Sequence, residues 1–116
     1  PGFGTIQLRL RELVSLPQSW KTALASVGGV YLLTNTTSGA QYVGMANGDG
    51  GFLQRWLDYA QDGHGGNAGL KEDAFTDYTV SILEVCGSRA TVAETASLES
   101  QWKQKLMTRD FGLNRN

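Results

Sequence analysis

The chain reads as one α+β domain: a small sheet of three to four strands, mixed or antiparallel, flanked by helices. Three observations predict it. Strand-like runs at 5–10, 30–34, 41–44 and 78–85 are interleaved with stretches of helical spacing at 17–27, 52–61 and 92–108. Clusters of Gly, Asn, Ser and Thr punctuate the joins. A length of 116 residues supplies one hydrophobic core and not two.

Thr5-Ile6-Gln7-Leu8-Arg9-Leu10 alternates apolar and polar side chains, the period of a half-buried edge strand. Ser15-Leu16-Pro17 offers a cap-like Ser and an early-turn Pro, and Trp20, Ala23, Leu24 and Val27 follow at helical spacing. Gly28-Gly29 ends that helix, and Val30-Tyr31-Leu32-Leu33-Thr34 has strand composition. The turn formers Asn35-Thr36-Thr37-Ser38-Gly39 predict a hairpin whose second arm is Gln41-Tyr42-Val43-Gly44.

After the loop Asn47-Gly48-Asp49-Gly50-Gly51, a helix over 52–61 is expected to bury Leu53, Trp56, Leu57 and Ala60, with Arg55 and Tyr59 one turn apart off that stripe. A short polar helix over 68–73 is expected next, and then the most strand-like stretch of all, 78–85, as a central strand. Thr91 followed by Glu94 is a capping box opening the last helix, placed at 92–108, with an apolar seam of Leu98, Trp102 and Leu106. Gly112 ends it. Residues 1–28 are thus a strand-helix extension on a core of 29–116.

The charge balance is near neutral, −1 overall, which does not mark a basic nucleic-acid binder. From Lys103 onward, however, Lys103, Lys105, Arg109 and Arg115 face only Asp110, a local basic edge. No apolar run reaches the roughly 20 residues of a membrane span, so no membrane partner is expected. A lone Cys86 cannot form an internal disulfide, which fits a reducing, cytoplasmic setting. The opening Pro1-Gly2-Phe3-Gly4 has neither an initiating Met nor a leader pattern, so the chain reads as a piece of a longer protein with further domains.

Two tripeptides stand out, Gly29-Val30-Tyr31 and Tyr42-Val43-Gly44, on the arms of the predicted hairpin. Arg55 follows on the next helix, Glu99 on the last helix three residues before Trp102, and Asn114 near the end. This ordered set resembles the GIY-YIG nucleases over roughly residues 28–114. The resemblance implies a metal-dependent endonuclease acting on DNA. In it Tyr31 activates water, Tyr42 orients water or phosphate, Arg55 and Tyr59 meet the scissile phosphate, Glu99 holds one divalent ion, Mg²⁺ by preference, and Asn114 keeps the site together. His64, in a Gly-rich run similar to loops of one branch of the family, and Lys103, on the basic edge, are expected as substrate contacts. Where some members, the excision-repair ones among them, carry Lys after the second tripeptide, this chain has Met45.

The chemistry is coherent without the family. Phosphodiester hydrolysis needs a base for water, positive charge for the developing phosphorane and help for the leaving alkoxide. Phenols, a guanidinium and a carboxylate-held hard cation supply these. A free phenol has a pKa near ~10, and the charge of Arg55 and a metal is expected to lower it. Each residue also has a plainer role available: strand packing for the tyrosines, and for Glu99 an i, i+4 pair with Lys103 worth roughly a few tenths of a kcal/mol. The alternatives that stay open are a binding module of the same fold that no longer cuts, and an interaction domain that binds neither DNA nor metal.

Overall fold

The computed structural model describes residues 2–62, 78–87 and 90–116. Strands β1 (Gln7–Arg9), β2 (Gly28–Asn35), β3 (Gln41–Ala46) and β4 (Tyr78–Cys86) form one sheet in the order β1-β4-β2-β3. Each of the three pairings is antiparallel. The helices are α1 (Gln18–Ala25), α2 (Gly51–Asp62), α3 (Val92–Leu106) and the single turn α4 (Thr108–Phe111). The α+β class therefore holds, the sheet has four strands, and β4 is an interior strand. The expected helix at 68–73 lies outside the described residues.

The first strand is shorter than its alternation predicts. Only Gln7–Arg9 pair with β4, and Leu10–Ser15 wind into a 3-10 helix. Ile6, Leu10 and Leu13 are all buried, a spacing of four and three that suits a helical turn and not an extended chain. Glu12 closes the turn by accepting the Arg9 N–H at 3.1 Å. The N-terminal segment is integral to the sheet and core, since β1 supplies the fourth strand and Leu13 and Leu24 join the main cluster.

The β2–β3 hairpin turns on Asn35. Its side-chain oxygen accepts from the N–H groups of Thr37 (2.8 Å) and Ser38 (3.1 Å), and its main chain bonds Ala40 and Gly39. At the other end of β2, the pairing with β4 slips between Val30 and Tyr31: Val30 faces Glu84 and Tyr31 faces Ile82, leaving Leu83 as the extra residue. Such a bulge bends a strand and re-aims the side chains beside it.

One face of the sheet buries Tyr31, Leu33, Tyr42, Val80 and Ile82 together with Leu24 of α1 and Phe52, Trp56 and Tyr59 of α2. The α2 stripe is therefore rotated from the expected one: Phe52, Trp56 and Tyr59 are inside, Leu53 and Leu57 are half-buried and Ala60 is exposed. The three larger aromatic surfaces gain more by burial than the aliphatic set. Gly51 opens α2 at φ 53°, where a Cβ would stand 2.9 Å from the Leu24 carbonyl oxygen, so only glycine lets α2 start this close to α1.

Helix α3 is fastened to the opposite side of the sheet. Its capping box forms as expected, Thr91 Oγ1 accepting from Glu94 N–H (3.1 Å) and Glu94 accepting from Thr91 N–H (3.0 Å). Trp102 Nε1 donates to Glu84 Oε1 on β4 at 2.8 Å, so this Trp is an anchor as well as packing. The helix ends earlier than expected, at Met107, which takes a left-handed φ of 54° before α4 begins. The tail then returns to the exposed edge of β3: Leu113 N–H donates to the Gln41 carbonyl at 2.8 Å.

Candidate active site

The two tripeptides meet in the sheet. Tyr31 pairs across the strands with Gly44, and its ring lies on that glycine: a Cβ at position 44 would stand 2.5 Å from the hydroxyl and 2.6 Å from Cζ. The glycine of the second tripeptide is thus the space that the tyrosine of the first one fills. Phe52, Trp56 and Tyr59 of α2 hold the same ring edge-on, with centroids 6.3, 6.0 and 6.0 Å away.

Three phenols and one guanidinium share a network. The Tyr31 and Tyr59 hydroxyls are 2.6 Å apart, and the Tyr42 hydroxyl also bonds that of Tyr59. Arg55 lies over the Tyr59 ring, its Cζ 4.8 Å from the centroid, and its guanidinium reaches the Tyr31 hydroxyl. Tyr31, Tyr42 and Tyr59 are all buried. Burial pushes each of the three phenols well above its ordinary value and outweighs the opposing pull of Arg55. The expected lowering by Arg55 is present but loses, because a phenolate here gives up its water. Burial likewise works against the charge on Arg55, but the surrounding phenols more than offset it and the guanidinium holds its proton more firmly.

A cleft of about 460 Å³ runs past this network and is lined by Tyr31, Tyr42, Arg55 and Glu99. These come from β2, β3, α2 and α3, so the cleft wraps the β3 end of the sheet and gathers helices from both faces. Glu99 faces it with a side chain 17% exposed, and its Oε1 lies 3.5 Å from Lys103 Nζ. Helix α3 is tied to the cleft's loop by Asn47 Nδ2, which donates to Thr95 Oγ1 (3.2 Å) one turn before Glu99.

Other expected site residues stand elsewhere. Tyr59 is as deeply buried as Tyr31 but is not among the cleft residues, and its hydroxyl addresses the two other phenols. Asn114 is buried below β3: its Oδ1 accepts the Val43 N–H at 2.8 Å and its Nδ2 donates to the Val43 carbonyl at 2.9 Å. That side chain imitates a neighbouring strand and fixes the residue next to Tyr42. Lys103, expected at the surface, is 3% exposed and turned to Glu99 and Asn116. His64 lies outside the described residues. Sequence reading also missed Gln54, Asp58, Asp49 and Asn116 as cleft residues. Asp58, three residues after Arg55, was findable from helical spacing.

Residues 27–114 match the family model described as the GIY-YIG catalytic domain. The chain belongs to the GIY-YIG family. No curated protein and no solved structure matches it. The family is one of nucleases, and its members generally use divalent metals. In this GIY-YIG domain β1 and α1 precede the matched region, while both tripeptides, Arg55, Glu99 and Asn114 fall inside it.

Among the described residues no group of three or more His, Cys, Asp or Glu side chains could hold a metal ion. Glu99, half-buried and paired through only one oxygen, has the chemistry Mg²⁺ accepts: a single carboxylate with water completing the shell. Among the described residues no helix is long and apolar enough to cross a membrane.

Proposed function

We propose that this domain is a metal-dependent endonuclease that hydrolyses DNA phosphodiester bonds by in-line attack of water. The observation that carries the reading is the shared cleft: Tyr31, Tyr42, Arg55 and Glu99, spread over 69 positions from 31 to 99, line one hollow. Arg55 presents a fixed fork of donors to phosphate oxygens and is always charged. A cation held by Glu99 supplies further positive charge where the phosphorane develops. Tyr31 is the phenol best placed to take on negative charge, because Tyr59 and Arg55 both reach its oxygen. With both donating, its own proton is left for the cleft, and an incoming water or phosphate is what it meets there. Tyr42 completes the wall and positions the nucleophile, and Asn114 keeps Tyr42 in register.

The test is nicking of supercoiled plasmid in Mg²⁺. Arg55→Ala and Glu99→Ala are each expected to lower the rate on the order of 10²-fold, as loss of a preorganised electrostatic group does. Cleavage that survives both substitutions removes the assignment.

A DNA-binding module that no longer cuts is the second reading, and the charge of the cleft counts against it. Asp49, Asp58 and Glu99 line the hollow against Arg55, and the chain carries −1 overall, whereas a DNA binder neutralises several phosphates. Binding of a labelled oligonucleotide without product over long incubation in Mg²⁺ selects this reading.

A further inference from the structure

Lys103 lies one turn after Glu99 on α3 and is buried to 3% exposure. An ammonium out of water is tolerated only when oxygens surround it. Lys103 Nζ has three: Glu99 Oε1 at 3.5 Å, Asn116 Oδ1 at 3.1 Å and the Asn116 carbonyl at 3.5 Å. Arg109 Nε donates to that same carbonyl at 2.7 Å. Asn116 lines the cleft together with Glu99. One buried cation therefore ties two neighbouring wall residues of the cleft to each other.

The pairing has two opposed consequences. Anchoring Oε1 holds Glu99 in one orientation toward the cleft, which saves the entropy of ordering that side chain when an ion arrives. The same ammonium repels a divalent cation brought to Glu99. For charges of +2 and +1 about 5 Å apart, the repulsion under near-surface screening is larger than the orientational gain. We infer that Lys103 is a positioning residue that aims Glu99 into the cleft and holds down its affinity for a divalent cation, leaving the ion exchangeable. This rests on the reading of Glu99 as the cation's ligand.

The experiment uses Mn²⁺ as a paramagnetic probe, its binding to the full chain followed by water-proton relaxation. Lys103→Met is expected to bind Mn²⁺ on the order of tenfold more tightly than wild type, because the repulsion is gone. At saturating Mg²⁺ the same variant is expected to nick plasmid about tenfold more slowly, because Glu99 has lost its anchor. Lys103→Arg, which keeps the charge, restores the weaker binding. Unchanged or weaker Mn²⁺ binding by Lys103→Met overturns the inference. Should that variant not fold, ¹⁵N NMR of wild-type protein serves: the Lys103 ammonium resonance is expected to shift as Mg²⁺ fills the cleft, and a stationary resonance overturns the inference equally. Glu99→Gln separates the two layers. If it binds Mn²⁺ as wild type does, the ligand assignment falls and the inference with it; if it loses binding while Lys103→Met matches wild type, only the inference falls.

Discussion

The hydroxyls of Tyr31 and Tyr59 stand 2.6 Å apart in the core, with Tyr31 also lining the cleft and Tyr59 entirely behind it. Tyr59 thus reaches the substrate side of the molecule through the hydroxyls of Tyr31 and Tyr42. Removing its hydroxyl while keeping its ring separates this polar role from packing. Tyr59→Phe is expected to cost about 1–3 kcal/mol of stability, since its hydroxyl is shared with two buried partners, Tyr31 and Tyr42. Nicking is expected to slow about tenfold with KM unchanged, the signature of an interaction made in the transition state and not in binding. Urea unfolding and steady-state kinetics on the one variant check both.

Gly44→Ala tests the fit between the two tripeptides. The new Cβ would stand 2.5 Å from the Tyr31 hydroxyl and 2.6 Å from its Cζ, too close for the ring to stay where it is. Overpacking of this kind costs roughly 1–3 kcal/mol. Because the displaced group is Tyr31 itself, activity is expected to fall further than stability does, by about 10²-fold for a displacement near 1 Å. A thermal melt beside the plasmid assay reads both quantities.

Asn114→Ala removes both hydrogen bonds to Val43 and leaves a buried N–H and carbonyl without partners. The expected loss is about 2–4 kcal/mol, two buried groups left unsatisfied. Asn114→Asp retains the acceptor, loses the donor to the Val43 carbonyl and introduces a charge into a site 1% exposed, so it is expected to be no better. Chemical denaturation of the pair measures this.

The three buried phenols make stability sensitive to alkali. Burial raises the folded-state pKa of Tyr31, Tyr42 and Tyr59 above the unfolded value of about 10, so the folded protein keeps protons that the unfolded chain releases. Their contribution is complete below pH ~10 and is lost as pH rises above it. Urea unfolding between about pH 8 and about pH 11.5 is expected to show a decline that begins near 10. The decline is expected to be shallower in Tyr42→Phe, with one fewer proton linked to folding.

What the sequence conveyed was periodicity and order. The hairpin around Asn35, the capping box at Thr91 and Glu94 and the interior strand at Tyr78–Cys86 each depend on neighbours a few residues away, and all were readable. The four residues that line the cleft, Tyr31, Tyr42, Arg55 and Glu99, were legible only as an ordered set that resembles the family's, since no local pattern links positions so far apart. Depth was not. That Tyr59 lies inside follows from the bulge at Val30 and from the absence of a side chain at Gly44, which let the Tyr31 ring meet α2. The burial of Lys103 depends on Asn116 folding back against α3, a contact between a helix and a tail that no local pattern records. The turn at Leu10–Ser15 was hidden because its first apolar residues also fit an alternating strand.

The central claim is that Tyr31 and Glu99, on separate strand and helix, act on one phosphate. A double-mutant cycle on Mg²⁺-dependent plasmid nicking, with Tyr31→Phe, Glu99→Gln and the double variant, tests it most directly. Residues acting as a unit are non-additive, so the double variant is expected to be about as slow as the slower single one. Rate losses that multiply across the two substitutions would mean two independent effects and contradict a shared site.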